Sequence, residues 1–185
     1  EDGSGSSLTI EDSIFEDNQS SSTIYVIGID AFVVERTAII NNTGRAIYAE
    51  TATINNALIY GNDGDYVFYS SSNSLTPPPF TVTNSTIAEN TGVVFYMSGH
   101  KVLANNIIQM QDEEQWCLMT ARTDSLGHNV VSGENCTFEH PTDILNADLQ
   151  LGASQTINDA PFVALLPGSP ALDLIESCTT SVDIR

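Results

Sequence analysis

The chain has 185 residues, of which 41% are hydrophobic, enough to build a core, so a disordered chain is excluded. Only 16% of residues are charged, and 24 Asp and Glu outweigh 5 Lys and Arg to give a formal net charge of -19. With cations only at Arg36, Arg45, Lys101, Arg122 and Arg185, the chain lacks the basic patch that nucleic acid requires and repels polyanionic substrates, and no apolar run of about 18 residues offers a membrane span.

Along the chain, a nine-residue pattern recurs: apolar, any, Asn-like, small, any, apolar, any, any, Asn. It reads IEDSIFEDN from Ile10, VERTAIINN from Val34, INNALIYGN from Ile54, VTNSTIAEN from Val82 and LANNIIQMQ from Leu103. The starts at 10, 34, 54, 82 and 103 lie 24, 20, 28 and 21 residues apart, and a weaker sixth copy begins at Leu126. Each copy is followed by a second apolar or aromatic run, such as Ile24-Tyr25-Val26 or Val67-Phe68-Tyr69. Turn residues such as Asn62-Asp63-Gly64 separate the two runs.

Short β-rich runs at a period of about 23 residues predict one coil of a three-sided solenoid per repeat. The fold class is therefore all-β, a right-handed single-stranded parallel β-helix of about six coils with an irregular C-terminal cap. The coils are expected over residues 1–139, with 140–185 a cap-like extension of the same domain. Glu1 to Ser7 is too short to close the first coil, so more β-helix is expected before Leu8. Coils stack about 4.8 Å apart, placing equivalent residues in columns. Asn56, Asn84 and Asn105 form one expected column; Asn18, Asn42, Asn62 and Asn90 form another, at a corner. An Asn amide both donates and accepts along the axis, and Asn tolerates the left-handed backbone that corners need. By the same alignment, Arg36 lies over Asp12 as a stacked ion pair. The proline-rich stretch from Ser70 to Pro79, which lengthens one coil, is an outward loop.

Cys117 and Cys136 lie about one coil apart on a similar side, which predicts a disulfide and an oxidising compartment, with Cys178 left over. Tyr48, Phe68 and Tyr96 align in the repeat and are expected to stack inward, leaving Tyr25 and Tyr69 outward to contact sugars. Asp63 and Asp65, in Gly61-Asn62-Asp63-Gly64-Asp65, are the candidate calcium ligands, although the corner Asn-x-Gly accounts for this segment without metal. No other cofactor is indicated.

From residue 103 onward, Ser125-Leu126-Gly127-His128-Asn129 and Leu166-Pro167-Gly168-Ser169-Pro170-Ala171-Leu172-Asp173 resemble the C-terminal region of the choice-of-anchor Q proteins, bacterial β-helix proteins of the pectin-lyase-like superfamily. The chain departs from that family at Gln155 to Asp159, where a Gly-Gly turn is usual, and stops at Asp183-Ile184-Arg185, where members typically continue to an anchor. The resemblance implies export and surface display but no defined activity. Polysaccharide-cleaving enzymes share this fold, yet the sequence holds no paired Asp-Asp within a coil, no Gly-His-Gly and no Arg-x-Lys. The leading expectation is a non-enzymatic surface module for adhesion or glycan binding, its partner a glycan or host-surface ligand. A polysaccharide-active enzyme and a structural stalk are the alternatives.

Overall fold

The computed structural model describes residues 5–70, 78–97, 99–110, 118–119, 122–133, 138–172 and 174. The first coil comprises β1 (Ser7–Glu11), β2 (Ile14–Glu16) and β3 (Gln19–Val26), and the second β4 (Ala31–Glu35), β5 (Ala38–Ile40) and β6 (Thr43–Ala49). The third comprises β7 (Thr53–Asn55), β8 (Leu58–Tyr60) and β9 (Tyr66–Ser70), and the fourth β10 (Phe80–Thr83), β11 (Thr86–Ala88) and β12 (Val93–Met97). The fifth holds β13 (Lys101–Ala104), β14 (Ile107–Ile108) and β15 (Leu118–Met119); a partial sixth holds β16 (Thr123–Ser125) and β17 (Val130–Val131). Like strands of successive coils pair in parallel, giving two sheets of six strands and a third of five. The solenoid thus has about five full turns rather than six, because the last described coil contributes no strand to the third sheet.

The repeat predicts this register because its first apolar residue always points inward. Ile10, Val34, Ile54, Val82 and Leu103 pair in sequence along the first sheet. In the second sheet Phe15, Ile39, Ile59, Ile87, Ile108 and Val131 do the same. Ile54 and Val82 stay in register across the 28-residue coil, so its extra length is absorbed outside the ladders. The sixth copy needs one correction. Leu103 pairs with Ser125, one residue before the expected start, and Leu126 is left 61% exposed.

The corner column forms as expected. Asn18, Asn42 and Asn62 each donate from Nδ2 to Oδ1 of the next member, at 2.8, 3.0 and 2.8 Å, ending on Asn90. Each backbone N–H reaches the same oxygen at 2.9–3.0 Å. The second amide hydrogens of Asn42, Asn62 and Asn90 close onto the carbonyls of Phe15, Ile39 and Ile59. Asn42, Asn62 and Asn90 are buried, so the ladder replaces the water that their corners exclude. These Asn residues do not carry the left-handed backbone; the residue before each does, namely Asp17, Asn41, Gly61 and Glu89. In the other column Asn56, Asn84 and Asn105 do adopt positive φ, together with Asp12, Arg36 and His128. There Asn105 donates to Asn84, and Asn84 to Asn55 at 2.7 Å.

A second buried ladder was not foreseen. Ser85, Asn106 and Asn129 form it, with Asn106 Nδ2 donating to Asn129 Oδ1 at 2.9 Å. It ends on Asp143, whose Oδ1 accepts from the Asn129 backbone and side chain while Oδ2 accepts from Ser125. A carboxylate only accepts, which suits it to terminate a column of donors.

The C-terminal extension, expected to be irregular, contains an antiparallel hairpin of β18 (Leu151–Ile157) and β19 (Ala160–Leu165). It straps the outer face of the second sheet rather than closing the end of the solenoid. Val163 packs on the cluster of Ala38, Ile40 and Leu58, and Leu151 and Leu165 on that of Ile107, Val130 and Leu149. The cause is visible in the strands: Ala38-Ile39-Ile40, Leu58-Ile59 and Ile107-Ile108 are apolar on both faces, and a sheet so composed requires cover on both.

Asn62→Ala leaves the Asn42 backbone and amide donors and the Ile39 carbonyl unpaired. It should cost about 3 kcal/mol in urea unfolding, whereas Asn18→Ala, at the exposed end, should cost under about 1 kcal/mol. Val163→Asp should release the strap, raising amide exchange over 151–165 while the coil strands stay protected.

Candidate functional site

In the third sheet the pleat turns one residue of each strand outward, and in four successive coils that residue is tyrosine. Tyr25 pairs with Tyr48, Tyr48 with Tyr69, and Tyr69 with Tyr96. Their rings follow one another at centroid spacings of 4.6, 4.8 and 5.3 Å, with interplanar angles of 30°, 25° and 12°. Tyr66 adds a fifth ring, 4.5 Å from Tyr96 and 5.4 Å from Tyr69. Tyr25 is 59% and Tyr96 39% exposed, and the rings between them are half-buried.

The expected inward stack of Tyr48, Phe68 and Tyr96 is therefore corrected. The true inward column is Ile24, Ile47, Phe68 and Phe95, with Phe68 and Phe95 stacked at 5.2 Å. Phe68 was aligned one residue out of register, and in a strand a one-residue slip exchanges the two faces. Tyr25 and Tyr69 face outward as expected, and Tyr48 and Tyr96 join them.

Stacking along the axis hides most ring faces within the ladder. What the ladder presents outward is a row of ring edges, most open at Tyr25 and Tyr96. Arg45 lies beside this row, its guanidinium 4.6 Å from the Tyr69 ring centre, 5.6 Å from Tyr66 and 5.8 Å from Tyr48. The sequence held the signal for this strip, namely a tyrosine in the second run of each of the first four copies, but only the correct register aligns them.

The other candidates are dispersed. Asp63 and Asp65 sit in the turn before β9; Asp63 accepts a 2.7 Å bond from Thr91, whose hydroxyl also accepts from the Gly64 N–H. Among the described residues no group of three His, Cys, Asp or Glu gathers to metal-binding size. Cys117 and Cys136 lie outside the described residues, as does Cys178. Arg36 does stack on Asp12, through a two-pronged contact of 2.7 and 2.9 Å that holds the Asp12 carboxyl below its usual range.

Where the solenoid passes from the fifth to the sixth coil, His100 meets Asp124 at 3.0 Å and Arg122 meets it at 2.7 Å. Arg122, then His100, keep Asp124 ionised below the ordinary carboxylate range. Among the described residues this cluster contains a single carboxylate, whereas glycoside hydrolysis uses two. Next to it, Lys101 takes an inward position in register with Phe80 and is fully buried. Its ammonium donates to the Gly99 carbonyl at 3.4 Å, and burial depresses its pKa to about 8.

No family model, curated protein or solved structure matches the chain. Among the described residues no helix is long and apolar enough to cross a membrane.

Burying the Lys101 cation opposes folding while the folded state must hold the proton. The folded pKa is lowered, so stability rises with pH from about 8 to the unfolded value near 10.5. Lys101→Met should stabilise the protein by about 1–3 kcal/mol at neutral pH. The gap between variant and parent should narrow across that window in urea unfolding at stepped pH.

Proposed function

We propose that the chain is a non-enzymatic binding module, displayed at a cell surface, that holds an extended glycan along the tyrosine ladder of its third sheet. The ladder carries this reading. Four outward tyrosines on consecutive coils form a straight strip along the axis, unlike the apolar second sheet, which the hairpin covers. A glycan chain lying on the strip packs its sugar rings along the exposed tyrosine edges, from Tyr25 to Tyr96. The acidity supports a ligand that is not a polyanion, since a net charge of -19 repels one. Surface display and an adhesive role are supported by the resemblance of residues 103–185 to the choice-of-anchor Q proteins. Asp63 and Asp65 remain the proposed calcium ligands, from the turn that precedes β9.

A glycan array probed with the chain, with and without calcium, alongside an assay for new reducing ends, tests this. Binding without release is expected, weakened roughly tenfold in Tyr25→Ala. Calcium-dependent binding would assign the Asp63–Asp65 turn, new reducing ends would make the chain an enzyme, and silence on every polymer would make it a stalk.

A further inference from the structure

Three residues before the ladder on each strand lie Ser22, Arg45, Tyr66 and Val93, with Ser22 in register with Arg45 and Tyr66 with Val93. Three buried side-chain polar atoms among the described residues have no hydrogen-bond partner: Ser22 Oγ, Thr23 Oγ1 and Arg45 Nε. All three cluster here, for Ser22 is in register with Arg45 and Thr23 follows it. Buried polar atoms are normally satisfied, so three orphans at one place mark a site that the protein alone does not complete. All three can donate.

Arg45 is also the cation whose surroundings differ from the rest. Arg36 and Arg122 are ion-paired, and Lys101 lies inside the core. No carboxylate of the described residues pairs with Arg45, despite 24 acidic residues in the chain. The faces of Tyr48, Tyr66 and Tyr69 hold it instead. Aromatic faces attract the charge without neutralising it and leave the planar fork of donors free. The stacked rings also fix the guanidinium, so little side-chain entropy is lost when an oxyanion binds.

We infer that Arg45, with the ring faces of Tyr66 and Tyr69 that position it, is an acid-recognition subsite that takes one oxyanion, a carboxylate or sulfate ester, of a sugar lying on the tyrosine ladder. This rests on the glycan reading above and narrows it to a singly acidic sugar. One anionic group is attracted to Arg45, a cation that no carboxylate of the described residues pairs, while a densely charged polymer meets the repulsion of the whole molecule.

The test is calorimetric titration of the full chain with three trisaccharides that differ only at one end: glucuronic acid, glucose, and 6-sulfated glucose. An acidic ligand should bind about tenfold to a hundredfold tighter than the neutral one. That advantage should vanish in Arg45→Met and shrink at high salt. The carboxylate and sulfate arms show which oxyanion the fork prefers. Equal affinity for acidic and neutral sugars overturns the subsite while leaving the ladder reading in place. An acidic preference that survives Arg45→Met overturns the assignment to Arg45, and failure of all three sugars to bind overturns both. Should Arg45→Met not fold, Arg45→Lys decides: the retained charge without the fork should lose most of the advantage, and an undiminished preference overturns the inference.

Discussion

The corner at which Asn42, Asn62 and Asn90 lie buried is the constraint on which the rest of the structure depends. A chain that turns sharply three times per coil drives backbone N–H and C=O groups into an interior without water, where each unpaired group costs about 1–3 kcal/mol. One Asn amide per coil bonds the backbone N–H and amide of one neighbour and the carbonyl of another segment, so three kinds of orphan are settled together. Asp has no amide hydrogens and Leu has neither group, so neither could extend the column. With the corner fixed, the apolar residues on either side must face inward, and each rung is set above the next.

The three sheets then diverge in their outer faces, and function follows that divergence. The second is apolar on both sides and spends its outer face on the C-terminal hairpin. The third keeps its aromatic residues in the open, beside an arginine that no carboxylate of the described residues neutralises. Elsewhere cations meet partners at once, as Arg36 meets Asp12 across one rung. Lys101 is the exception of the opposite kind, a cation placed where Phe32 and Phe80 would lead one to expect another apolar residue.

The sequence made the coil period and the inward residues legible because the repeat encodes them directly: Asn at the ninth position and Ile or Val at the first and sixth have no other economical meaning. It also held the ladder of Asn18, Asn42, Asn62 and Asn90. Less legible was anything that depends on one residue of register. Phe68 was set in a column with Tyr48 and Tyr96 because the run Val67-Phe68-Tyr69 offers three adjacent large side chains and no turn close enough to phase them. The ladder of Ser85, Asn106 and Asn129 was hidden because its earlier members are Thr37 and Ala57, which share no hydrogen-bonding habit with Asn. The hairpin was invisible for a different reason. Its partner surface is contributed by four separate coils, and no local pattern in Leu151 to Leu165 names them. The Arg45 corner likewise takes its meaning from rings that lie twenty residues away in the chain.

The corner column also has a sense of direction. Each Asn–Asn bond in it runs from one coil to the next in the chain, so Asn18 turns its oxygen to the earlier side, while the second amide hydrogen of each later member returns to a carbonyl of the coil before. Two such columns meeting at their first coils would set oxygen against oxygen, while a rung added above Asn18 in the same sense would simply lengthen the series. The polarity of a few buried amides therefore makes the solenoid a one-way object, extensible in line and poorly suited to a mirror-like joint.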